Sequence, residues 1–290
     1  MENKYNLKDG KQLISNINMQ YMKLSKGQKL IAKYILENYD KVAFMTAAKL
    51  SEEVGVSEST VVRFANALGY SGYPKLQEAL EELIKNKLTT VQRVEMIDEN
   101  KSDSEILYSV LKSDITNIKN TIECIDEKVF EDTAKKLINA KKIYILGIRS
   151  SFAIAQYLGF YLDMVLDNVQ IIRVDMADVF DQIVRIDKDD VLFVISFPRY
   201  SRKAYQTSMY AKERKANIIS LTDSVYSPVA SLADNVLLVK NNMTSFVDSL
   251  VPAFSVVNAL IIAISKKEKT KVKNHFINLE NMWDKFSVYE

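Results

Sequence analysis

The spacing of the apolar residues changes near the middle of this chain, and that change limits the possible folds more than any other feature. Up to about residue 88 the apolar residues recur at intervals of three and four, as in amphipathic helices. From residue 143 onward, short β-branched runs alternate with segments of helical length. The runs that predict strands are IYIL, VQIIRV, VLFVIS, NIISLT and NVLLVK. The sequence therefore predicts an all-α domain followed by an α/β domain with a doubly wound parallel sheet.

A polar segment separates the two predicted domains. Residues 89–105 (TTVQRVEMIDENKSDSE) lack a clear apolar period, which is typical of a connector. The residues that follow, 106–140, predict two helices that lead into the sheet. We expect a helical domain over residues 1–88, a linker and connecting helix over 89–122, and the sheet domain over 123–285.

Composition excludes several classes of protein. With 290 residues, 48% hydrophobic and 26% charged, the chain has the profile of a globular protein and enough length for two domains. Its single cysteine cannot form an intramolecular disulfide, and its single histidine offers little for a metal site. It lacks the apolar stretches of a secretory signal or a membrane helix. We expect a cytoplasmic protein with no metal, no cofactor and no membrane partner.

Net charge does not identify a partner, because it is only +2. The distribution of charged residues along the chain is more informative. Residues 20–75 carry eight basic side chains against five acidic ones, a basic excess of three. Such an excess is weak but compatible with a small DNA-binding module.

The segment AAKLSEEVGVSESTVVRFAN (residues 47–66) has the layout of a helix-turn-helix motif. Two short helices can cross closely only where a small residue lies at the contact, and Ser51 is placed there. Gly55 occupies the turn, where it can adopt a positive φ angle without strain. The residues expected to face the core are Leu50, Val54, Val56, Val61 and Phe64. The alternative is a pair of amphipathic helices in an ordinary bundle.

The second helix of this motif would present short polar and basic side chains to DNA. Ser57 is placed to cap its N-terminus. Arg63 has an alternative role in a surface salt bridge with Glu58 or Glu52. Lys75, in the next helix, suits a phosphate contact and a plain solvated lysine equally well. The residues expected to contact DNA are Ser57, Glu58, Ser59, Thr60, Arg63, Asn66 and Lys75.

The run SESTVVRFANALGYSGYPKLQ (residues 57–77) is where the chain most resembles a known family. Together with the preceding LSKGQKLIAKYILENYDKVAFMTAAKLSEEVGV, it is similar to the N-terminal domain of the RpiR/MurR family of transcriptional regulators over nearly its full length. This resemblance implies that the helix-turn-helix domain binds double-stranded operator DNA.

Two strand-to-helix junctions in the second half have the make-up of an anion site. The predicted strand at residues 142–146 ends in GIRSS, and the one at 191–195 ends in SFPRYSR, each before a helix. Free N–H groups at a helix N-terminus attract anions, and a doubly wound sheet binds its ligand at the carboxyl ends of its strands. Either junction could also be an ordinary helix cap.

Residues 125–265 are similar to the sugar isomerase (SIS) domain that RpiR/MurR regulators carry, most clearly in TDSVYSPVASLADNVLLV. The resemblance implies a flavodoxin-like or Rossmann-like domain that binds a phosphosugar. It also implies that Ser151, Ser196 and Ser201 are phosphate-facing hydroxyls.

This chain departs from the family in both loops. Arg149 stands where a second glycine is common, and Pro198-Arg199 stands where Ser-Gly is common. Pro198 removes a hydroxyl and an N–H, whereas Arg199 could replace them with a bidentate contact to an anion. We therefore expect a phosphosugar or a sugar acid as the ligand. The residues expected to contact it are Ser150, Ser151, Ser196, Arg199, Ser201 and Thr222.

Catalysis is the competing function, because SIS domains also occur in isomerases. Moving a proton between adjacent carbons needs a positioned base, usually His or Glu. His275 lies in a polar C-terminal segment, and the predicted apolar helix of residues 246–264 offers only Asp248 near its start. We therefore expect a regulator that is not an enzyme and has no catalytic residues.

We expect a homodimer or homotetramer, joined through the SIS domains, that presents paired DNA-binding domains to a pseudo-palindromic operator. Ligand binding would change operator affinity and so control genes of carbohydrate metabolism. A third possibility is that the sheet domain serves only as an oligomerisation scaffold. In that case no ligand would raise the stability of the protein.

Overall fold

A computed structural model describes residues 10–85, 90–94, 97, 101–175, 177–241 and 247–289. The chain divides into two compact units, Met1–Ile97 and Asp98–Glu290. Among the helices of the described ranges, none combines the length and the apolar character needed to cross a lipid bilayer.

The first unit is helical throughout its described part, which confirms the predicted all-α fold. Its helices are α1 (Gly10–Gln20), α2 (Lys26–Val42), α3 (Ala47–Val54), α4 (Glu58–Ala67), α5 (Tyr73–Lys85) and α6 (Thr90–Val94). Ile31 and Ile35 of α2 are fully buried, as are Phe64 of α4 and Leu80 of α5. Helices this short depend mainly on burying an apolar face for their stability.

Helix α2 begins at a capping box. The Ser25 hydroxyl accepts a hydrogen bond from the Gln28 backbone N–H, and the Gln28 side chain accepts one from the Ser25 N–H over 2.9 Å. Two N–H groups that a helix start leaves without partners are satisfied in this way. The helix kinks at Asn38, whose φ of −136° is not helical and whose side-chain nitrogen donates to the Tyr34 carbonyl.

The second unit is built around a parallel β-sheet. Its strands are β1 (Ile143–Gly147), β2 (Val169–Ile171), β3 (Val191–Ile195), β4 (Asn217–Thr222) and β5 (Asn235–Leu238). They lie in the order β2-β1-β3-β4-β5, and each neighbouring pair is parallel. All five predicted strands are therefore confirmed. β1 and β3 are buried at every position, as expected for strands covered on both faces.

Helices cover both faces of this sheet, so it is doubly wound as predicted. They are α7 (Asp103–Cys124), α8 (Glu127–Asn139), α9 (Ser151–Asp163), α10 (Val179–Ile183), α11 (Arg202–Glu213), α12 (Val251–Lys267) and α13 (Lys269–Phe286). Residues of α8, α9 and α12 pack on one face, against Ile145 and Phe193. Residues of α10 and α11 pack on the other face, against Leu146 and Val194. Helix α12 also packs against α7.

Two elements differ from the sequence prediction. The apolar helix expected from residue 246 begins at Val251, with Pro252 in the first turn, where a missing N–H leaves no bond unmade. Phe246 itself lies outside the described residues. The polar C-terminal segment forms the helix α13, and His275 is exposed on it.

Candidate DNA-binding and ligand-binding sites

The turn between α3 and α4 has the geometry predicted from its glycine. Gly55 has a φ of +71°, in the left-handed region, and its N–H donates to the carbonyl of Glu52 over 3.3 Å. The next N–H, of Val56, donates to the Ser51 carbonyl over 3.0 Å. These bonds close the end of α3 and lead the chain into α4.

The apolar side of helix α4 anchors it in the core of the first unit. Leu50 of α3 and Val61 and Phe64 of α4 are fully buried, as predicted, whereas Val54 and Val56 are only half-buried. Because the apolar side of α4 is fixed in the core, its opposite side is held at the surface of the unit.

The exposed side of α4 carries most of the residues predicted to contact DNA. The exposed ones are Glu58, Ser59, Arg63 and Asn66. Thr60 differs, because it is half-buried against α2. A Cβ atom built on Gly27 of α2 would lie 3.2 Å from the Thr60 methyl group. The sequence suggested that Thr60 would point outward, but its side chain is partly covered by α2.

Ser57 lies directly before α4, as predicted, but its side chain does not cap the helix. Its hydroxyl is hydrogen-bonded to the hydroxyls of Ser59, at 2.9 Å, and Thr60, at 2.8 Å. The predicted side-chain cap is wrong because these neighbouring hydroxyls compete for the same oxygen. Three hydroxyls at a helix N-terminus nevertheless form a group that can donate to a phosphate oxygen.

Arg63 extends back along α4 toward its N-terminus. Its Nε donates to the Ser59 carbonyl over 3.2 Å, and Nη2 donates to the Ser59 hydroxyl over 3.3 Å. In the described part of the chain it forms no ion pair with Glu58 or Glu52, and Glu52 instead pairs with Lys49 at 3.1 Å. The guanidinium thus stays on the polar side of α4, next to the serine hydroxyls.

Helix α5 brings two further residues to this region. Lys75 is exposed, and its Nζ lies 2.8 Å from a Glu78 carboxylate oxygen, an ion pair that contributes little in water.

Tyr73, which the sequence analysis did not single out, is buried and donates its O–H to the Met45 carbonyl over 2.8 Å. Burial raises the pKa of Tyr73 to about 12. Its only sequence signal was its aromatic ring at a predicted helix start.

We expect the substitution Tyr73→Phe to lower the free energy of unfolding by about 1 kcal/mol at pH 7, because the Met45 carbonyl loses its donor. A raised tyrosine pKa stabilises the fold fully below the unfolded-state pKa of about 10, and this contribution is lost as the pH rises toward 12. The phenylalanine variant should therefore lose less stability in alkali than the wild type. Urea denaturation at pH 7 and pH 11 measures the difference, and an equal alkaline loss in both proteins would contradict the prediction.

In the second unit, the carboxyl ends of β1 and β3 lie side by side. Gly147, at the end of β1, pairs with Ile195, at the end of β3. Because β2 flanks β1 on one side and β3 flanks it on the other, the strand order reverses here. In doubly wound sheets, ligands bind in the crevice at such a reversal, outside the carboxyl ends of the strands. Both loops singled out from the sequence begin at this place.

The loop after β1 is tightly built. A Cβ atom on Gly147 would lie 2.3 Å from the Ser151 carbonyl oxygen, so the backbone leaves room only for glycine. Arg149 has a φ of +59°, which is uncommon for a residue other than glycine. Arg149 and Ser150 are exposed, and Ser150 precedes α9 without capping it through its side chain. Ser151, the first residue of α9, is buried.

The loop after β3 places its three predicted residues differently. Ser196 is buried, and its N–H donates to the Leu221 carbonyl of β4 over 3.1 Å. Ser201 caps α11, because its hydroxyl accepts a hydrogen bond from the Ala204 N–H over 3.3 Å. That hydroxyl still has its own proton to donate. Arg199 is exposed and is the most accessible of the three.

The end of β4 contributes a carboxylate that the sequence analysis did not select. Thr222 is fully buried, and its hydroxyl donates to Asp223 over 3.4 Å. The same Asp223 oxygen accepts a hydrogen bond from the Tyr200 hydroxyl over 2.9 Å. Thr222 thus supports Asp223 from within the sheet, and Asp223 joins the loops after β3 and β4. The position of Asp223 directly after a predicted strand was the available signal.

Comparison with known proteins agrees with this arrangement. Residues 11–87 match the helix-turn-helix domain of the rpiR family, and residues 136–263 match the SIS domain. An uncharacterised HTH-type transcriptional regulator of Clostridium perfringens is 25% identical over 84% of this chain and 89% of its own length. An uncharacterised HTH-type regulator of Haemophilus influenzae is 28% identical over 78% and 79%. HexR of Pseudomonas aeruginosa is 25% identical over 76% of both chains.

Two solved structures share the fold. The sugar isomerase domain of an RpiR transcription factor from Sphaerobacter thermophilus matches with a TM-score of 0.59 and 23% identity, over 61% of this chain and 99% of that one. The Vibrio vulnificus NanR protein, complexed with ManNAc-6P, matches with a TM-score of 0.57 and 21% identity, over 93% and 98%. The fold class and the resemblance predicted from the sequence are confirmed. With both domains present in this order, the chain belongs to the RpiR family of helix-turn-helix proteins that carry a SIS domain.

Proposed function

We propose that this protein is a transcriptional regulator that binds double-stranded operator DNA through α4 and senses a phosphosugar or sugar acid at the carboxyl edge of its sheet. Its two family domains and the regulator names of its relatives support the regulatory role. A homodimer or homotetramer would present paired α4 helices to a pseudo-palindromic operator, and the ligand would alter operator affinity. The genes under control would be those of carbohydrate metabolism.

The polar face of α4 carries the DNA-binding part of the proposal. Ser59, Arg63 and Asn66 are exposed and follow one another at intervals of four and three, so they share one side of the helix. A recognition helix needs short polar or basic side chains there and a buried side that holds it in place. Val61 and Phe64 supply that buried side.

The chemistry of the two loops supports an anionic ligand that carries hydroxyl groups. Arg149 and Arg199 are exposed cations, and both loops lead into helix N-termini, which favour negative charge. Asp223 and the Tyr200 hydroxyl, joined by a 2.9 Å hydrogen bond, offer partners for the hydroxyls of a sugar. A phosphosugar or a sugar acid combines both kinds of group.

We infer regulation rather than isomerisation, because the two candidate bases singled out from the sequence are poorly suited to that role. Asp248 precedes α12 by three residues and has a short side chain, and His275 is exposed on α13. The relatives that match most of this chain are named as regulators. Incubation of the protein with aldose and ketose phosphates, followed by product analysis, tests whether it is an isomerase. Conversion of one sugar phosphate into the other would overturn the inference of a purely regulatory role.

The decisive experiment is a mobility-shift titration of the full chain on DNA from upstream of its own gene, with and without a panel of sugar phosphates and sugar acids. ManNAc-6P, the compound complexed with the Vibrio vulnificus protein, belongs in the panel. A specific shift that one compound alters would support both parts of the proposal. A shift that no compound alters would favour a scaffold role for the sheet, and no specific shift would remove the DNA-binding role.

We expect the substitution Arg199→Ala to weaken binding of the active compound by roughly tenfold or more, because a charge-assisted hydrogen bond contributes about 1.5 to 3 kcal/mol. Arg185→Ala is the matched control, since Arg185 is exposed between α10 and β3, at the amino end of the sheet. Isothermal titration calorimetry measures both variants. Unchanged affinity in Arg199→Ala would contradict the expected contact.

A further inference from the structure

Helix α4 carries a branched apolar side chain within its polar, exposed face. Val62 is 39% exposed, whereas its neighbour Val61 is fully buried. Val62 lies three residues after Ser59 and four before Asn66, both of them exposed, so the three side chains form one row along the helix. The sequence analysis did not single out Val62, although it falls between residues expected to contact DNA.

The core of the first unit does not require a valine at this position. The core side of α4 is filled by Val61, Phe64 and Ala65, which are all fully buried. Valine is a weaker helix former than alanine, lysine or glutamate, because its branched side chain loses χ1 freedom in a helix. Single exposed apolar residues are common on protein surfaces, so exposure alone indicates nothing. What distinguishes Val62 is its place among residues that we propose contact base edges.

The side chains around Val62 leave its methyl groups accessible. Arg63, the longest side chain on this face, extends toward Ser59, with Nη2 3.3 Å from the Ser59 hydroxyl. At about 100° per residue, Arg63 lies on the far side of Ser59 from Val62, so the guanidinium does not cover the valine. Ser59 and Val62 are both short, and a base pair can therefore approach the backbone of α4 closely here.

The chemistry of a valine in the major groove selects one kind of base. Of the four bases, only thymine carries a methyl group on its major-groove edge. Serine, asparagine and arginine recognise bases by hydrogen bonds, whereas a valine side chain has no polar atom with which to form one. Packing its methyl groups against that of thymine removes apolar surface from water. The χ1 angle of a helical valine is already nearly fixed, so the contact costs little side-chain entropy.

We propose that Val62 reads thymine, by packing against the 5-methyl group of one thymine in each half-site of the operator. The inference rests on the proposed function, because it requires α4 to lie in the major groove. It extends that function by naming a base and the chemical group through which the base is recognised. The exposed row of α4 then combines apolar readout at Val62 with hydrogen bonding at Ser59 and Asn66.

The test removes the methyl group from the DNA and keeps the base pairing. An operator that the full chain selects from a random duplex pool is synthesised with thymine or with uracil, which lacks only the 5-methyl group. Burying one methyl group corresponds to about a fourfold change in affinity, so we expect wild type to bind the uracil operator roughly 15-fold more weakly over two half-sites. Fluorescence anisotropy measures both affinities. Equal affinity for the two operators would overturn the inference.

Three variants assign the effect to Val62. Val62→Ala should bind the thymine operator about fourfold more weakly per half-site and lose most of the preference over uracil. Val62→Ile keeps a branched apolar side chain and should still prefer thymine. Val91→Ala is the matched control, since Val91 is 67% exposed on α6, outside α4, and this variant should behave as wild type. Circular dichroism checks that each variant is folded. A folded Val62→Ala that keeps the full preference would contradict the role of Val62.

Single substitutions in the DNA locate the methyl group. Uracil replaces one thymine of the operator at a time, and we expect the loss of affinity to be confined to one position in each half-site. The outcomes also separate this inference from the proposed function. If the chain selects no specific duplex, the proposed function fails, and this inference fails with it. If it selects a duplex whose thymine methyl groups make no difference to affinity, only the inference about Val62 fails.

Discussion

Replacing Arg63 by alanine is expected to weaken operator binding by about 5- to 150-fold, because a good arginine contact to a base contributes roughly 1 to 3 kcal/mol. The substitution should leave the fold intact, since the side chain is exposed and its described hydrogen bonds go only to Ser59, within the same helix. Arg63 lies on the exposed side of α4, and Phe64 anchors the opposite side of the helix in the core. Fluorescence anisotropy with a labelled operator at several salt concentrations measures the loss.

Two further variants separate the causes of that loss. Arg63→Lys keeps the charge but not the planar fork, so it should retain a phosphate contact and lose a bidentate base contact. Lys33→Ala removes a cation from the exposed surface of α2 and should change affinity little. If Arg63→Ala bound the operator as tightly as wild type, α4 would not be the recognition helix.

Replacing Gly147 by alanine is expected to cost roughly 3 kcal/mol, at the upper end of the usual range for overpacking. The added Cβ would meet the Ser151 carbonyl oxygen at 2.3 Å, and backbone atoms cannot rotate aside as a side chain can. The start of α9 would have to move away from β1, at the edge where we propose that the ligand binds. For a unit of this size, the loss corresponds to a midpoint lower by about 6 to 12 °C.

Gly27→Ala is the control for this experiment. Its added Cβ would lie 3.2 Å from the Thr60 methyl group, which belongs to a side chain that can adjust, and alanine favours the helix. We expect its thermal midpoint to stay within a few degrees of wild type. Both variants are compared by thermal unfolding followed by circular dichroism. Equal stability of Gly147→Ala and wild type would show that β1 and α9 are not held as closely as described.

Local sequence patterns predicted the elements of this protein well, because the strands are short apolar runs and the helices are amphipathic. They could not predict the strand order β2-β1-β3-β4-β5, which depends on pairing between segments distant in the chain. The buried side chain of Asn235 illustrates the limit. It donates to Asp132 at 3.0 Å and Thr133 at 3.1 Å and thereby fastens β5 to α8. Nothing in the sequence around Asn235 indicates those partners.

In the candidate sites, too, the sequence predicted the features that depend on local periodicity and missed those that depend on packing between distant segments. The exposure of Ser59 and Arg63 followed from helical periodicity alone. The contact between Thr60 and Gly27 did not, because it depends on how α2 crosses α4. Sequence located both loops at the sheet edge. The sequence could not show that Thr222 is fully buried with its hydroxyl bonded to Asp223, because this depends on the side chains around the end of β4.

The packing of α7 against α12 means that the second unit can close only late in protein synthesis. Helix α7 ends at Cys124 and α12 begins at Val251, so the ribosome must add a further 127 residues before α7 meets its partner. At roughly 5 to 20 residues per second, this takes about 6 to 25 s. The first unit, whose helices are all near neighbours in sequence, can fold on the nascent chain during that time. Throughout the same interval the side of α7 that later contacts α12 stays uncovered, so the incomplete second unit exposes surface that the finished unit buries.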